Sequence, residues 1–163
     1  MRVVLVLFVL ALAALAPRAE SAPPATVGCE SIIYPLGDVV WKPKRLVLGV
    51  VAVPPTYIPQ TVESPDGRWP YWTKSGLVVR AGSPPVLVSV PARWRTRVAI
   101  GWGQVDATSS LRIETCPPLS RPEGWNPYSG GFHLRSKAAC VPLTFTVSGR
   151  SATVRFGVGK RCA

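Results

Sequence analysis

CVPLTFTVSGRSATVRFGVGKRC, residues 140–162, carries the clearest pattern in the chain, and its reading decides the fold. Val141, Leu143, Phe145 and Val147 alternate with Pro142, Thr144 and Thr146, and the alternation resumes with Ala152, Val154, Phe156 and Val158. A period of two sends successive side chains to opposite faces of a strand, so the stretch predicts a hairpin with one apolar face. With Gly149 and Arg150 at the turn, Val147 is expected opposite Ala152, Phe145 opposite Val154, Leu143 opposite Phe156 and Val141 opposite Val158. Cys140 then falls opposite Gly159, and Cys162 can curl back to reach it. Closing a loop of this size contributes roughly 3 to 4 kcal/mol by chain entropy. The four cysteines, Cys29, Cys116, Cys140 and Cys162, allow three connectivities. The hairpin selects Cys140–Cys162 and leaves Cys29–Cys116 as the remainder.

Outward from the hairpin, 18 prolines and 14 glycines cut the chain into short pieces, and none shows a sustained 3.6-residue apolar period. The pieces are rich in Val, Ile, Thr and aromatic residues, which fit a pleated surface better than a helix. They predict strands over 30–34, 45–53, 76–80, 86–90, 95–102, 110–115, 131–135, 141–147 and 152–158. Leu46–Val53 is apolar on both faces and reads as a central covered strand. The longest loop is expected over Pro54–Trp72. About nine short strands with frequent turn signals and paired cysteines point to one all-β domain, an antiparallel β-sandwich of immunoglobulin-like type. A closed barrel is the second choice.

Before this domain, Val3 to Ala16 is an unbroken apolar run after Met1 and Arg2, followed by Pro17 and the small residues around Ala19 and Ser21. The run is too short for the roughly 20 residues that a membrane-spanning helix needs, so residues 1–21 read as a secretory signal peptide. The exported domain then starts near Ala22 and spans 22–163. A lipoprotein reading of Thr26–Cys29 fails because Cys29 lies well beyond the apolar run. Export also suits four paired cysteines. Lys and Arg number 19 against 8 acids, a formal net charge of +11, which makes an anionic partner plausible without bearing on the fold. The excess of Arg over Lys, with abundant Ala, Gly, Pro and Val, also resembles coding by a GC-rich genome.

Acid–base catalysis needs titratable groups gathered in one pocket, and the chain offers few. Its single histidine, His133, alternates with Phe132 and Leu134 and is expected on the opposite face, in solvent beside Arg135. No GxSxG elbow, CxxC, HxxxH, carboxylate cluster or phosphate-cradling glycine loop is present. The expectation is therefore a protein that is not an enzyme, with no metal and no cofactor. A hydrolase of wall polymers is the rival class, and a domain presenting a strand edge for assembly is the third.

Two features could bind a partner. Trp69, Tyr71 and Trp72 fall in RWPYWTKSG, where planar rings in a loop could stack on sugar faces. Closing one end of the sandwich as minor core is the competing structural use, and Trp125 with Tyr128 invites the same comparison. Arg93, Arg95 and Arg97 would project from one face of a single strand at intervals of about 6.8 Å, a row able to grip anionic groups. The same arginines could instead blunt a strand edge or interleave with tryptophans. Sequence-specific recognition of nucleic acid is not expected without a helix to enter a groove.

The order Cys116-Pro117, Trp125 with Tyr128, Gly130–Phe132, Cys140–Leu143 and Val154–Cys162 resembles small exported hypothetical proteins of high-GC Gram-positive bacteria. The resemblance is weaker from Trp41 onward, where WTKSGLVVRAG and PVLVSVPARWR carry it. It implies an exported bacterial origin and brings no established activity or catalytic residue. These readings converge on a binding or structural module of the cell envelope or extracellular space, contacting an anionic or sugar-bearing polymer.

Overall fold

A computed structural model describes residues 22–34, 45–118 and 124–163; the signal peptide expected over residues 1–21 lies outside them. The described chain is all-β, with 14 strands where about nine were expected. They are β1 (Ala25–Val27), β2 (Arg45–Val47), β3 (Val51–Val53), β4 (Tyr57–Ile58), β5 (Val62–Glu63), β6 (Tyr71–Lys74), β7 (Leu77–Arg80), β8 (Val86–Ser89), β9 (Val98–Trp102), β10 (Ser110–Ile113), β11 (Trp125–Tyr128), β12 (Gly130–Leu134), β13 (Ala139–Val147) and β14 (Arg150–Val158). Sheet A has the order β1-β10-β8-β13-β14-β4, sheet B the order β11-β7-β3-β2 and sheet C the order β5-β6-β12-β9. The pairing is mixed: β1 lies parallel to β10 and β14 parallel to β4, which corrects the expectation of a wholly antiparallel fold.

The terminal hairpin forms, and its register closes two residues tighter than the alternation alone suggested. Val147 faces Arg150, Phe145 faces Ala152, Leu143 faces Val154, Val141 faces Phe156 and Ala139 faces Val158. The cause is a two-residue turn in which Ser148 (φ 46°) and Gly149 (φ 76°) both adopt the left-handed conformation. Such turns match the right-handed twist of the flanking strands. A shift of two residues leaves every side chain on its intended face. Val141, Leu143, Phe145, Val154, Phe156 and Val158 are buried, while Thr144 bonds Thr153 at 3.1 Å and Thr146 bonds Ser151 at 2.8 Å on the other face.

Cys140 therefore faces Gly157, and the chain end must cross back over that glycine. A Cβ at Gly157 would collide with the Lys160 carbonyl oxygen and lie 3.1 Å from Arg161 Cα, while Gly159 (φ 65°) reverses the chain. These two glycines bring Cys162 within 5.2 Å, Cα to Cα, of its disulfide partner Cys140. The second disulfide joins Cys29 to Cys116, so both expected pairs are present.

Other sequence readings change for local reasons. Leu46–Val53 is a hairpin instead of one central strand: Leu48 (φ 51°) and Gly49 (φ 74°) reverse the chain between β2 and β3. An apolar run on both faces came from two strands, with all of β3 buried and Leu46 on β2 exposed. Residues 30–34 hold no strand; Cys29–Ser31 is a 3₁₀ turn, after which Ile32 makes a single bridge to Tyr128. The long loop expected over Pro54–Trp72 is interrupted by β4 and β5, and its last two residues open β6. Trp125–Tyr128, outside the expected strands, pairs with β7 despite Pro127.

All three sheets contribute to one core. Val88, Leu111, Phe145 and Phe156 come from sheet A, Val51, Leu77 and Val79 from sheet B, and Ile100, Trp102 and Phe132 from sheet C. Phe132 meets Trp102 edge-on at 5.8 Å and Phe156 at 5.4 Å, which ties sheet C to sheet A. Among the described residues no helix is long and apolar enough to cross a membrane.

Candidate functional site

The arginine row does not form. Pro91 precedes a 3₁₀ turn, Ala92–Trp94, and the turn continues through Arg97, so that β9 begins only at Val98. Bonds from Trp94 N–H to the Pro91 carbonyl (2.8 Å) and from Arg97 N–H to the Trp94 carbonyl (2.8 Å) hold this path. Arg95 Nε donates to the Val90 carbonyl at 3.2 Å, and Arg97 lies over the Trp94 ring at 5.7 Å. Arg93 and Arg97 are exposed, but the regular strand spacing that would have aligned all three is absent.

The aromatic stretch separates in the same way. Trp69 is only 4% exposed and cannot serve as a platform. Tyr71 packs against the core and carries Lys137 over its ring at 5.6 Å. Tyr128 closes the core from β11; burial, and secondarily the charge of Glu30, pushes its hydroxyl up to about 12. Trp125 stays half-buried beneath Arg80, whose guanidinium carbon is 5.1 Å from its ring centroid. Trp72 alone of the three loop rings faces outward, on β6.

Strand pairing explains what Trp72 meets. Val62 pairs with Trp72, Trp72 with His133, and His133 with Ala99, so these four form one row across sheet C. Directly paired residues point to the same side of a sheet. That side is the outer one, because the flanking residues Phe132 and Leu134 of β12 are fully buried. Val62 is 54% exposed beside the half-buried indole of Trp72.

Two hollows flank the ring. One, of about 340 Å³, is lined by Trp72, Lys74, Gly101, Val105, Gly130 and His133 among others. The second, of about 310 Å³, is lined by Ile58, Pro59, Gln60, Val62, Trp72 and Lys74 among others. Trp72 and Lys74 belong to both, so the indole stands between them as a shared wall. Glycine is required beside it: a Cβ on Gly101 would sit 2.7 Å from the Val105 carbonyl oxygen and 3.5 Å from His133 Nε2. A Cβ on Gly130 would collide with the Gly101 carbonyl oxygen.

The same approach of the Val105–Asp106 segment explains why His133 is half-buried where solvent exposure was expected. Burial lowers its pKa from 6.5, and the charges of Asp66 and Asp106 oppose that shift. The folded state thus prefers the neutral ring. Its contribution to stability is complete above pH 6.5 and is lost as the pH falls through the lower folded value. Thermal unfolding between pH 7.5 and 5 should therefore show a shallower decline for His133→Gln than for the wild type. Equal slopes would contradict the burial argument.

The arrangement offers a flat apolar ring, a neutral imidazole, an ammonium group and glycine-bounded space. His133, Lys74 and Val62 escaped the sequence reading because their meeting with Trp72 depends on cross-strand register, which alternation within one strand does not specify. The alternation did place His133 opposite Phe132. No family model, curated protein or solved structure matches the chain.

Proposed function

We propose that the chain is an exported, non-enzymatic binding module of the cell envelope or extracellular space, which holds a sugar-bearing polymer across the outer face of sheet C. The observation that carries this reading is the position of Trp72 between two open hollows. A sugar ring buries its CH faces on an indole while its hydroxyl groups remain in reach of His133 and Lys74. Two disulfides and the apolar stretch before residue 22 support export. The common core of the three sheets supports a sandwich reading of immunoglobulin-like type.

Retention of the domain 22–163 on isolated walls of a high-GC Gram-positive bacterium tests the proposal. Trp72→Ala should weaken retention roughly thirtyfold, the equivalent of about 2 kcal/mol for a central aromatic anchor. Because Trp72 lies on the outer face, the variant should unfold within a few degrees of the wild type. Unchanged retention by a folded Trp72→Ala domain would eliminate the trough formed by Trp72 and its two hollows as the binding surface.

A further inference from the structure

Beyond the trough, β12 runs into charge. Outward on β12 stands His133, and the exposed Arg135 follows the strand's last residue, Leu134. The Arg135 N–H donates to the Arg97 carbonyl at 3.0 Å, which sets the residue preceding β9 beside the residue following β12. The guanidinium carbons of Arg68 and Arg135 stand 5.6 and 5.7 Å from the centroid of the Trp69 ring, and that of Arg97 stands 5.7 Å from the Trp94 ring.

These three cations are thus held by indoles and not by carboxylates. Among the described residues, Arg112 pairs with Glu114 and Lys137 with Glu63, and Arg68, Arg97 and Arg135 join no ion pair within 4.0 Å. The nearby carboxylate of Asp66 accepts the backbone N–H of Arg68 at 2.8 Å. A contact with an indole leaves a guanidinium its N–H donors, in the fork geometry that suits a carboxylate.

We infer that Arg68, Arg97 and Arg135 form an anion subsite continuous with the Trp72 trough, so that the polymer held there is an acidic polysaccharide. Its sugar rings lie against Trp72, and its carboxylate groups meet the guanidinium N–H donors beyond the end of β12. The inference rests on the trough being a sugar site. Aromatic surface alone would accept a neutral glycan, and a basic cluster alone would accept any polyanion. Their succession along β12 selects a ligand with both properties.

Affinity electrophoresis of the domain 22–163 through gels containing polygalacturonate, dextran or inorganic polyphosphate separates these cases. The wild type should be retarded more by polygalacturonate than by dextran, with the difference shrinking as salt rises from 0.05 to 0.5 M, in proportion to the shorter screening length. Arg68→Gln/Arg135→Gln should weaken the polygalacturonate interaction about tenfold and leave dextran retardation unchanged, since each exposed contact contributes modestly. Arg97→Gln, which leaves the Trp69 cover in place, should weaken it about threefold and so guards against misfolding of the double variant. Loss of polygalacturonate binding in Trp72→Ala, with polyphosphate binding intact, supports one continuous surface. Polygalacturonate retardation indifferent to the arginine variants overturns the anion subsite while leaving the trough standing. Arginine-dependent retardation by both polyanions that ignores Trp72→Ala overturns the acidic-polysaccharide assignment and the sugar trough together, and leaves a simple polyanion surface.

Discussion

Replacing Cys29 and Cys116 together by alanine is expected to lower the unfolding free energy by about 4.5 kcal/mol. The bond closes a loop with a sequence separation of 87, against 22 for Cys140–Cys162, and chain entropy makes the longer loop the more stabilising one. Its position adds a structural reason. β1 joins sheet A only through three parallel pairs to β10, from Ala25↔Leu111 to Val27↔Ile113, and the disulfide follows at the next turn. Val27 is fully buried, and a Cβ at Gly103 would fall 2.9 Å from its side chain. Freed from Cys116, the segment 22–34 would rely on those pairs, the Ile32–Tyr128 bridge and the bond from Ile33 N–H to the Pro127 carbonyl. A domain of this size should melt roughly 10 to 16 °C lower without the bond, as followed by circular dichroism at constant pH. The matching Cys140→Ala/Cys162→Ala variant should lose about 3.4 kcal/mol. If that variant proved the more destabilised, the loop-length argument would fail for this fold.

The two bonds also mark how far the sequence could be read. Cys140 and Cys162 belong to one continuous alternating hairpin, and local periodicity suffices to bring them together. The register slipped by two because periodicity cannot distinguish a turn at Ser148-Gly149 from one at Gly149-Arg150. Both keep the same apolar face. Leu46–Val53 shows the opposite case: a strand apolar on both faces and a hairpin of two apolar strands have the same composition, and only the positive φ of Leu48 and Gly49 separates them. Alternation also misled where a local turn competes with a strand. Arg93, Arg95 and Arg97 alternate with Trp94 and Thr96 as a strand would, yet Pro91 and the bond from Arg95 Nε to the Val90 carbonyl favour a turn. The trough at Trp72 depends on β5, β6, β12 and β9 lying side by side in an order that no single segment encodes.

Phe132→Ala should destabilise the domain by about 3 to 5 kcal/mol, through lost burial and the cavity left behind. Phe132 is fully buried, and its neighbours Trp102 and Phe156 are buried rings that could enter its place only by vacating their own. Trp102 Nε1 donates to the Ser75 carbonyl at 2.7 Å, so rotating the indole into the void would leave that buried carbonyl without its donor. Backbone collapse is blocked as well: Gly130 and Gly131 already bring β12 so close to Gly101 and Thr73 that a Cβ at either glycine would meet a carbonyl oxygen. A cavity that cannot relax takes the upper part of the large-to-small range. Phe132→Leu, which keeps most of the volume, should lose less than half as much in urea unfolding. The same substitution tests whether the site depends on the core, since His133 shares β12 and points the other way. A Phe132→Leu domain that remains folded should bind walls as the wild type does, whereas loss of binding would show that the outward row from Val62 to His133 is held in place by the packing of this ring.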